Sequence, residues 1–227
     1  MAAQALRERM AAAIEPRHTI KHPMFQKWGE GTLSKACMAG YMHESWHYVT
    51  NIFEAFFLTA RNAPREVVEL ELENYYEETD PENPHPALFL RFYEACGYDP
   101  AEIPKKKPLP STEGWTQWLL GLARNEPWQA TVSALHCSSE FQFSGVMPVI
   151  LPALREKYKF KEHEIEHFWV HAEADIEHSN SAFDVLERNC TTPEEQDMCV
   201  YYAGESARRR WFYTDCIYLH YEMGELQ

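Results

Sequence analysis

The sequence predicts an all-α protein, and three features carry that prediction. Only 9 glycines occur in 227 residues, so few positions invite the tight turns of a β-meander. No stretch joins β-branched enrichment to strict period-two alternation and a hairpin turn. Helix start and stop signals, by contrast, recur along the whole chain.

Taken in order, the segment from Met1 to Ile14 alternates Arg and Glu with Ala and lacks the apolar core of a secretion signal. Thr32 is placed to cap a helix over 33–62, and Pro64 suits the first turn of the next, which runs to about Thr79. Pro81, Pro84 and Pro86 then interrupt the helical pattern, and a short helix from Pro86 ends at Gly97, a favourable terminator. The proline- and lysine-rich stretch from Pro104 to Pro110 reads as a solvated loop. Helices are predicted beyond it over 112–125, 127–158, 161–190 and 193–223. Pro148 and Pro152 are expected to kink the second of these, while Thr192, Pro193 and Glu195 spell a capping box at the start of the last. Several helices of about 30 residues would each span ~45 Å at ~1.5 Å per residue. With no internal repeat or linker in view, the expectation is one helical domain over 1–227.

Composition narrows the function. The chain carries 21 basic against 35 acidic residues, a net charge of −14. Such a surface repels phosphate backbones and anionic lipid, so neither nucleic acid nor a membrane is expected as a partner. No run approaches the ~18 apolar residues of a membrane span. The six cysteines include no Cys-x-x-Cys pair, which points to reduced, mostly buried thiols and a cytoplasmic location. A homodimer formed through a helical face is the default expectation. Eleven histidines are in excess, and they direct attention to metal.

His171, Asp175 and His178 stand at i, i+4 and i+7, within about 60° of one another on a helix turning ~100° per residue. Two imidazoles and a carboxylate without thiolate suit iron or manganese, though zinc accepts them too. One helix cannot enclose a reactive metal pair, so other helices must add carboxylates. Glu140 sits mid-helix among residues otherwise fit for a core, where a charge is costly unless paired or metal-bound. Glu78 and His85 lie seven residues apart across the proline-rich interruption; spacing alone leaves open whether they are ligands or solvated loop residues.

The ordered set Asn74, Glu77 and Glu78, then His85, then Glu140, then His171, Asp175 and His178 resembles the haem-oxygenase-like di-iron oxidases and oxygenases. These share a bundle of about seven helices with thiaminase II and the pyrroloquinoline quinone synthase. The resemblance runs from the segment His22 to Trp28 to the C-terminal helix. It implies Glu78, His85, Glu140, His171, Asp175 and His178 as ligands to two Fe(II) ions, with Glu140 bridging and O2 as co-substrate. It further implies a non-haem di-iron oxidoreductase of specialised biosynthesis, working on a small molecule with a possible external electron donor. Members carry out N-oxygenation, oxidative C–C fragmentation, desaturation, nitrile formation and decarboxylation, and one branch makes p-aminobenzoate by sacrificing its own tyrosines. Those tyrosines would align near Phe25 and Ser139, which disfavours that branch. Trp46, Phe53, Phe56, Phe57, Trp169, Trp211, Phe212 and Tyr218 could line the enclosed cavity that such chemistry needs, and this aromatic lining tilts the substrate towards an amino-acid-derived molecule. Its carboxylate would need a buried cation, for which Arg155, Arg208, Arg209 and Arg210 are candidates.

Alternatives remain at this point. Glu44 and His47 could add a further ligand or surround the site, as could His167. The repeated Glu-x-x-His spacing at Glu44/His47, Glu82/His85 and Glu164/His167 admits a ferritin-like arrangement. The run His163 to His167 matches the zinc-protease pattern, with no third zinc ligand identifiable. Cys137 admits a metal-independent, thiaminase II-like hydrolase, which would need an activated thiolate. A non-enzymatic helical metal-binding or interaction protein is the remaining class.

Overall fold

The computed structural model describes residues 5–225. Among these, helices carry nearly all of the regular structure, and there is no strand. The α-helical segments are α1 (Leu6–Ile14), α2 (Pro23–Glu30), α3 (Lys35–Ala60), α4 (Arg65–Glu78), α5 (His85–Ala95), α6 (Pro110–Asn125), α7 (Trp128–Ala134), α8 (Phe141–Glu156), α9 (Glu166–Asn189) and α10 (Pro193–Ile217). The expected number was about seven. The difference arises from the short α1 and α2, unassigned in the sequence reading, and from a break in the 127–158 helix.

That break is a π-helical segment, Leu135–Glu140, between α7 and α8. Pro148 and Pro152, expected to kink this stretch, lie instead within α8. The local rewinding therefore falls upstream of both prolines. On its far side Ser138 donates to the Ala203 carbonyl at 2.9 Å, and Ser206 donates to the Ala134 carbonyl at 2.6 Å. These bonds pin α7 and the π segment to α10. Single-turn π insertions of this kind concentrate at functional sites, and this one ends on Glu140.

Helix starts follow local chemistry. Thr192 caps α10 in a reciprocal box with Glu195, as its sequence predicts. For α3 the cap is Ser34, whose hydroxyl accepts from the Cys37 amide at 3.1 Å. Thr32, the expected cap, instead donates to the Lys27 carbonyl at 3.3 Å, because the chain is still turning out of α2 there. Gly97 follows α5 with φ +99°, a left-handed conformation that only glycine adopts cheaply. The predicted 161–190 helix is shorter at its start: a 3-10 turn, Glu162–Glu164, precedes α9.

The long helices α3, α9 and α10 have 26, 24 and 25 residues. α3 packs against α4, α5 and α6, α9 against α8 and the π segment, and α10 against α1 and α7. Trp28, Phe25, Tyr41, Phe92 and Phe168 meet edge-to-face, stacked or tilted in the main core. Full burial of such rings contributes about 1.5–3 kcal/mol apiece. A second apolar cluster joins α1, α7, α9 and α10 through Met10, Ile14, Val132, Leu186 and Ala203. At Gly40 on α3 an added Cβ would stand 2.2 Å from the Tyr221 ring. Glycine thus lets the C-terminal π segment, Tyr218–Met223, lie directly on α3.

His22 shows how burial sets charge in this fold. Its Nδ1 accepts from the Met24 amide at 3.1 Å, capping α2, and its Nε2–H donates to Asp215 at 2.9 Å. Burial lowers its pKa, outweighing Asp215. The unfolded chain therefore binds this proton more readily than the native one. The His22 contribution to stability is present above about pH 6.5 and is lost as pH falls towards the folded-state pKa. His22→Asn keeps the cap acceptor but does not titrate. Urea unfolding between pH 7.5 and 5 should show a shallower acid loss for the variant, by up to about 1.4 kcal/mol per pH unit. Parallel slopes would contradict this assignment.

Candidate metal centre

Glu78 is the last residue of α4 and His85 the first of α5, and a short proline-rich turn holds them together. In that turn Asp80 accepts from the Glu82 amide at 2.9 Å, and the Asn83 side chain donates to Glu166 of α9 at 3.2 Å. Pro84 and Pro86 flank His85 and restrict its backbone. The result sets His85 Nδ1 3.0 Å from Glu78 Oε1. His85 Nδ1 and Glu78 Oε2 are both buried with no hydrogen-bond partner among the described residues.

α9 supplies the third group. His171 Nδ1–H donates to the His167 carbonyl at 2.7 Å, one turn back. That bond fixes the tautomer and leaves Nε2 free, 3.6 Å from Glu78 Oε1. One ligand atom from each of Glu78, His85 and His171 lies within 4.8 Å of the others. Burial pushes the Glu78 carboxyl up, but the His171 and His85 imidazoles outweigh it and hold the group ionised.

Glu140 and Asp175 face the same cavity as Glu78 and His171. Burial, reinforced by the negative charge of Glu140 and Glu78, drives the Asp175 carboxyl well above its usual range. Arg210 and His136 pull the other way without cancelling the shift. His178 takes a different partner: its Nε2 lies 2.7 Å from Glu77 Oε2. Of the six expected ligands, then, the structure joins Glu78, His85 and His171 in one cluster and puts Glu140 and Asp175 on the adjoining cavity wall. It turns His178 to Glu77, the residue before Glu78.

Two buried residues overlooked in the sequence support Glu140. His136 Nδ1 lies 2.9 Å from both Glu140 oxygens, and its Nε2 lies 3.2 Å from Glu71 Oε1. Burial alone would strip the His136 proton, but Glu140 and Glu71 together hold it on. The i, i+4 spacing of His136 and Glu140 was readable; the Glu71 partner, 65 residues away, was not.

Glu44 and His47, considered as a further ligand or as surroundings of the site, have partners away from the cluster. Glu44 is fully buried, but its carboxylate accepts from the Leu109 amide at 2.9 Å, the Tyr221 hydroxyl at 2.7 Å and the Thr112 hydroxyl. It anchors the N-terminus of α6, where negative charge is favoured. His47 donates through Nε2 to the Ile103 carbonyl at 3.1 Å. With Glu82 exposed and Glu164 accepting from the Lys161 amide in a 3-10 turn, the ferritin-like arrangement loses its carboxylates. The zinc-protease pattern fails because His163 sits exposed in the 3-10 turn, off the helix that carries His167. His167 does line the cavity, neutral through burial, with both ring nitrogens unpartnered among the described residues and its ring 4.2 Å from Phe89. Cys137 is fully buried outside the cavity lining, and burial pushes its thiol well up, so no thiolate is available there.

The cavity has a volume of about 80 Å³. Phe53 and Phe56 line it as expected, joined by Phe89, Phe143, Tyr41, Tyr48 and Tyr213. Phe57, Trp169 and Phe212, expected there, are instead exposed, because each lies on the solvent side of its helix. A donor set of imidazoles and carboxylates, with no thiolate and with unpartnered ligand atoms turned inward, fits iron.

The arrangement of helices is that of a haem-oxygenase-like fold. A Shewanella denitrificans domain of unknown function with that fold superposes with a TM-score of 0.81 at 20% identity, covering 97% of this chain and 94% of the other. A TenA homologue from Pseudomonas syringae pv. tomato gives 0.80 at 13% identity, covering 94% and 92%. The chain belongs to a family of iron-containing redox enzymes, whose family model matches residues 39–211. Among curated relatives, the 4-aminobenzoate synthase of Nitrosomonas europaea is 28% identical over 97% of this chain and 94% of its own length. The 4-aminobenzoate synthase of Chlamydia muridarum is 24% identical over 79% and 77%. Among the described residues, no helix is long and apolar enough to cross a membrane.

Proposed function

We propose that this chain is an O2-dependent non-haem di-iron oxidase or oxygenase acting on a small amino-acid-derived molecule. The observation that carries the reading is the convergence of Glu78, His85 and His171 at the wall of an aromatic cavity shared with Glu140 and Asp175. Glu78, His85 and His171 would hold one iron and Glu140, Asp175 and His178 the other, His178 exchanging Glu77 for metal. Bound there, ferrous iron supplies the electrons that reduce O2. The protein's own part is to position and to exclude water. His136 and Glu71 hold Glu140 at a fixed angle, as hydrogen-bonded partners of metal ligands do. Phe53, Phe56, Phe89 and Phe143 keep the chamber apolar. Burial pushes the Tyr41, Tyr48 and Tyr213 phenols up, so all three stay protonated and serve as hydrogen-bond donors to what binds. An external electron donor and a homodimer belong to the same reading.

Anaerobic titration with Fe(II), followed by mixing with O2, tests it. Close to two irons per chain and rapid O2 consumption are expected; no O2 reaction by the iron-loaded protein, alone or with small amino acids, would sink the reading.

The names of the curated relatives favour a second reading, formation of 4-aminobenzoate. Phe25 is packed in the core against Trp28, and Ser139 lines the cavity, so neither position offers a tyrosine. Tyr41, Tyr48 and Tyr213 do face the cavity. Rescue of a 4-aminobenzoate auxotroph, with a matching mass loss in the purified chain, would select this reading over the first.

A further inference from the structure

Three consecutive arginines on α10 have different surroundings. Arg208 and Arg209 both pair with Glu205 at the surface. Arg155, on α8, pairs with exposed Glu162. Arg210 is only 6% exposed and lines the cavity. Among the described residues it pairs with no acid, and its Nε has no partner. One terminal nitrogen donates to Ser139 Oγ at 2.8 Å, and the guanidinium carbon lies 5.8 Å from the centre of the Phe143 ring. A guanidinium has five donors in a planar fork; besides Ser139 it reaches the Tyr41 hydroxyl, and Nε is left free. A buried cation without a counter-charge is strongly unfavourable. The carboxylates that share its cavity, Glu78, Glu140 and Asp175, are the ones assigned to metal above, which leaves Arg210 uncompensated in the loaded protein.

We propose that Arg210 binds the carboxylate of the substrate, so that the cavity accepts small organic acids with an aromatic or apolar body. The inference rests on the di-iron reading for its charge count and on the position of Arg210 for its geometry. Ser139 holds the fork in place, and Phe53, Phe56, Phe89 and Phe143 receive the apolar part. An acid anchored this way has its remaining atoms in the same chamber as Glu78, His171 and Asp175. A neutral molecule of the same shape forfeits the charge-assisted bonds.

Calorimetric titration tests this without turnover, using both zinc(II)-loaded and metal-free protein. The probes are benzoate, phenylacetate, the amide of each, and inorganic phosphate. At least one acid should bind roughly tenfold or more tighter than its amide, as expected for charge-assisted pairing. Arg210→Gln should shrink that preference to within about twofold, and Arg210→Lys, which keeps the charge but not the fork, should retain part of it. Circular dichroism checks that each variant is folded; if Arg210→Gln is not, the wild-type acid–amide preference and the lysine variant decide. No preference for either acid in wild type, a full preference in folded Arg210→Gln, or phosphate binding as tight as the acids would each overturn the proposal. Zinc stoichiometry comes from separate titrations, so a preference for acids without metal uptake would remove the di-iron reading and leave the anchor standing.

Discussion

Glu78→Gln is expected to lower iron affinity at the α4–α5–α9 cluster by at least about 100-fold, more than loss of a hydrogen-bonded partner of a metal ligand typically costs. Glu78 is the group common to the cluster: Oε1 lies 3.0 Å from His85 Nδ1 and 3.6 Å from His171 Nε2. Glutamine keeps the shape but removes the charge that divalent iron needs. O2 consumption by the Fe(II)-loaded protein should fall in step with iron content. Iron analysis after anaerobic loading, beside a melting curve of the metal-free variant, separates lost ligation from lost folding. A folded variant that loads iron as wild type does would remove Glu78 from the ligand set.

The second large effect is on stability. His136→Leu should destabilise the protein by about 3–5 kcal/mol, because it strands the buried Glu71 carboxylate and the half-buried Glu140. Glu71 is 1% exposed, and Glu140 would lose the imidazole that touches both its oxygens. Replacing Glu71 and His136 together by leucine should recover part of that loss, since a buried ionic pair is often exchangeable for apolar packing. The pH dependence has a definite sign. The His136 pKa is raised in the folded protein, so its stabilisation is fully present below about pH 6.5 and is lost as pH rises through the folded value. Urea unfolding at several pH values should show the gap between wild type and His136→Leu narrowing towards alkaline pH. A gap of under about 1 kcal/mol at pH 6 would mean that the three residues do not act as a unit.

What the sequence made legible was local. The all-helical class followed from helix signals, and Thr192, Pro193 and Glu195 marked α10 because a capping box is a four-residue object. His171 and Asp175 could be set on one stripe of α9 because they are one turn apart. Contacts between helices were beyond reach. Nothing near Glu71 reveals that its partner is His136, and nothing near His178 distinguishes a metal ligand from a partner of Glu77. The π segment could not be read either, since Leu135–Glu140 contains no residue that forbids an ordinary α-turn. Arg208, Arg209 and Arg210 are alike in sequence; successive residues turn ~100° apart on a helix, and only the packing of α10 decides which one points inward.

On the proposed reading, helices α4, α5 and α9 and the π segment build one two-metal cavity. Anomalous diffraction at the iron edge, from crystals of the anaerobically Fe(II)-loaded protein, tests it most directly. Two iron peaks are expected, one among Glu78, His85 and His171, the other beside Glu140 and Asp175 with His178 drawn away from Glu77. No iron at that wall, or iron bound instead at Glu44 and His47 or at His163 and His167, would contradict it.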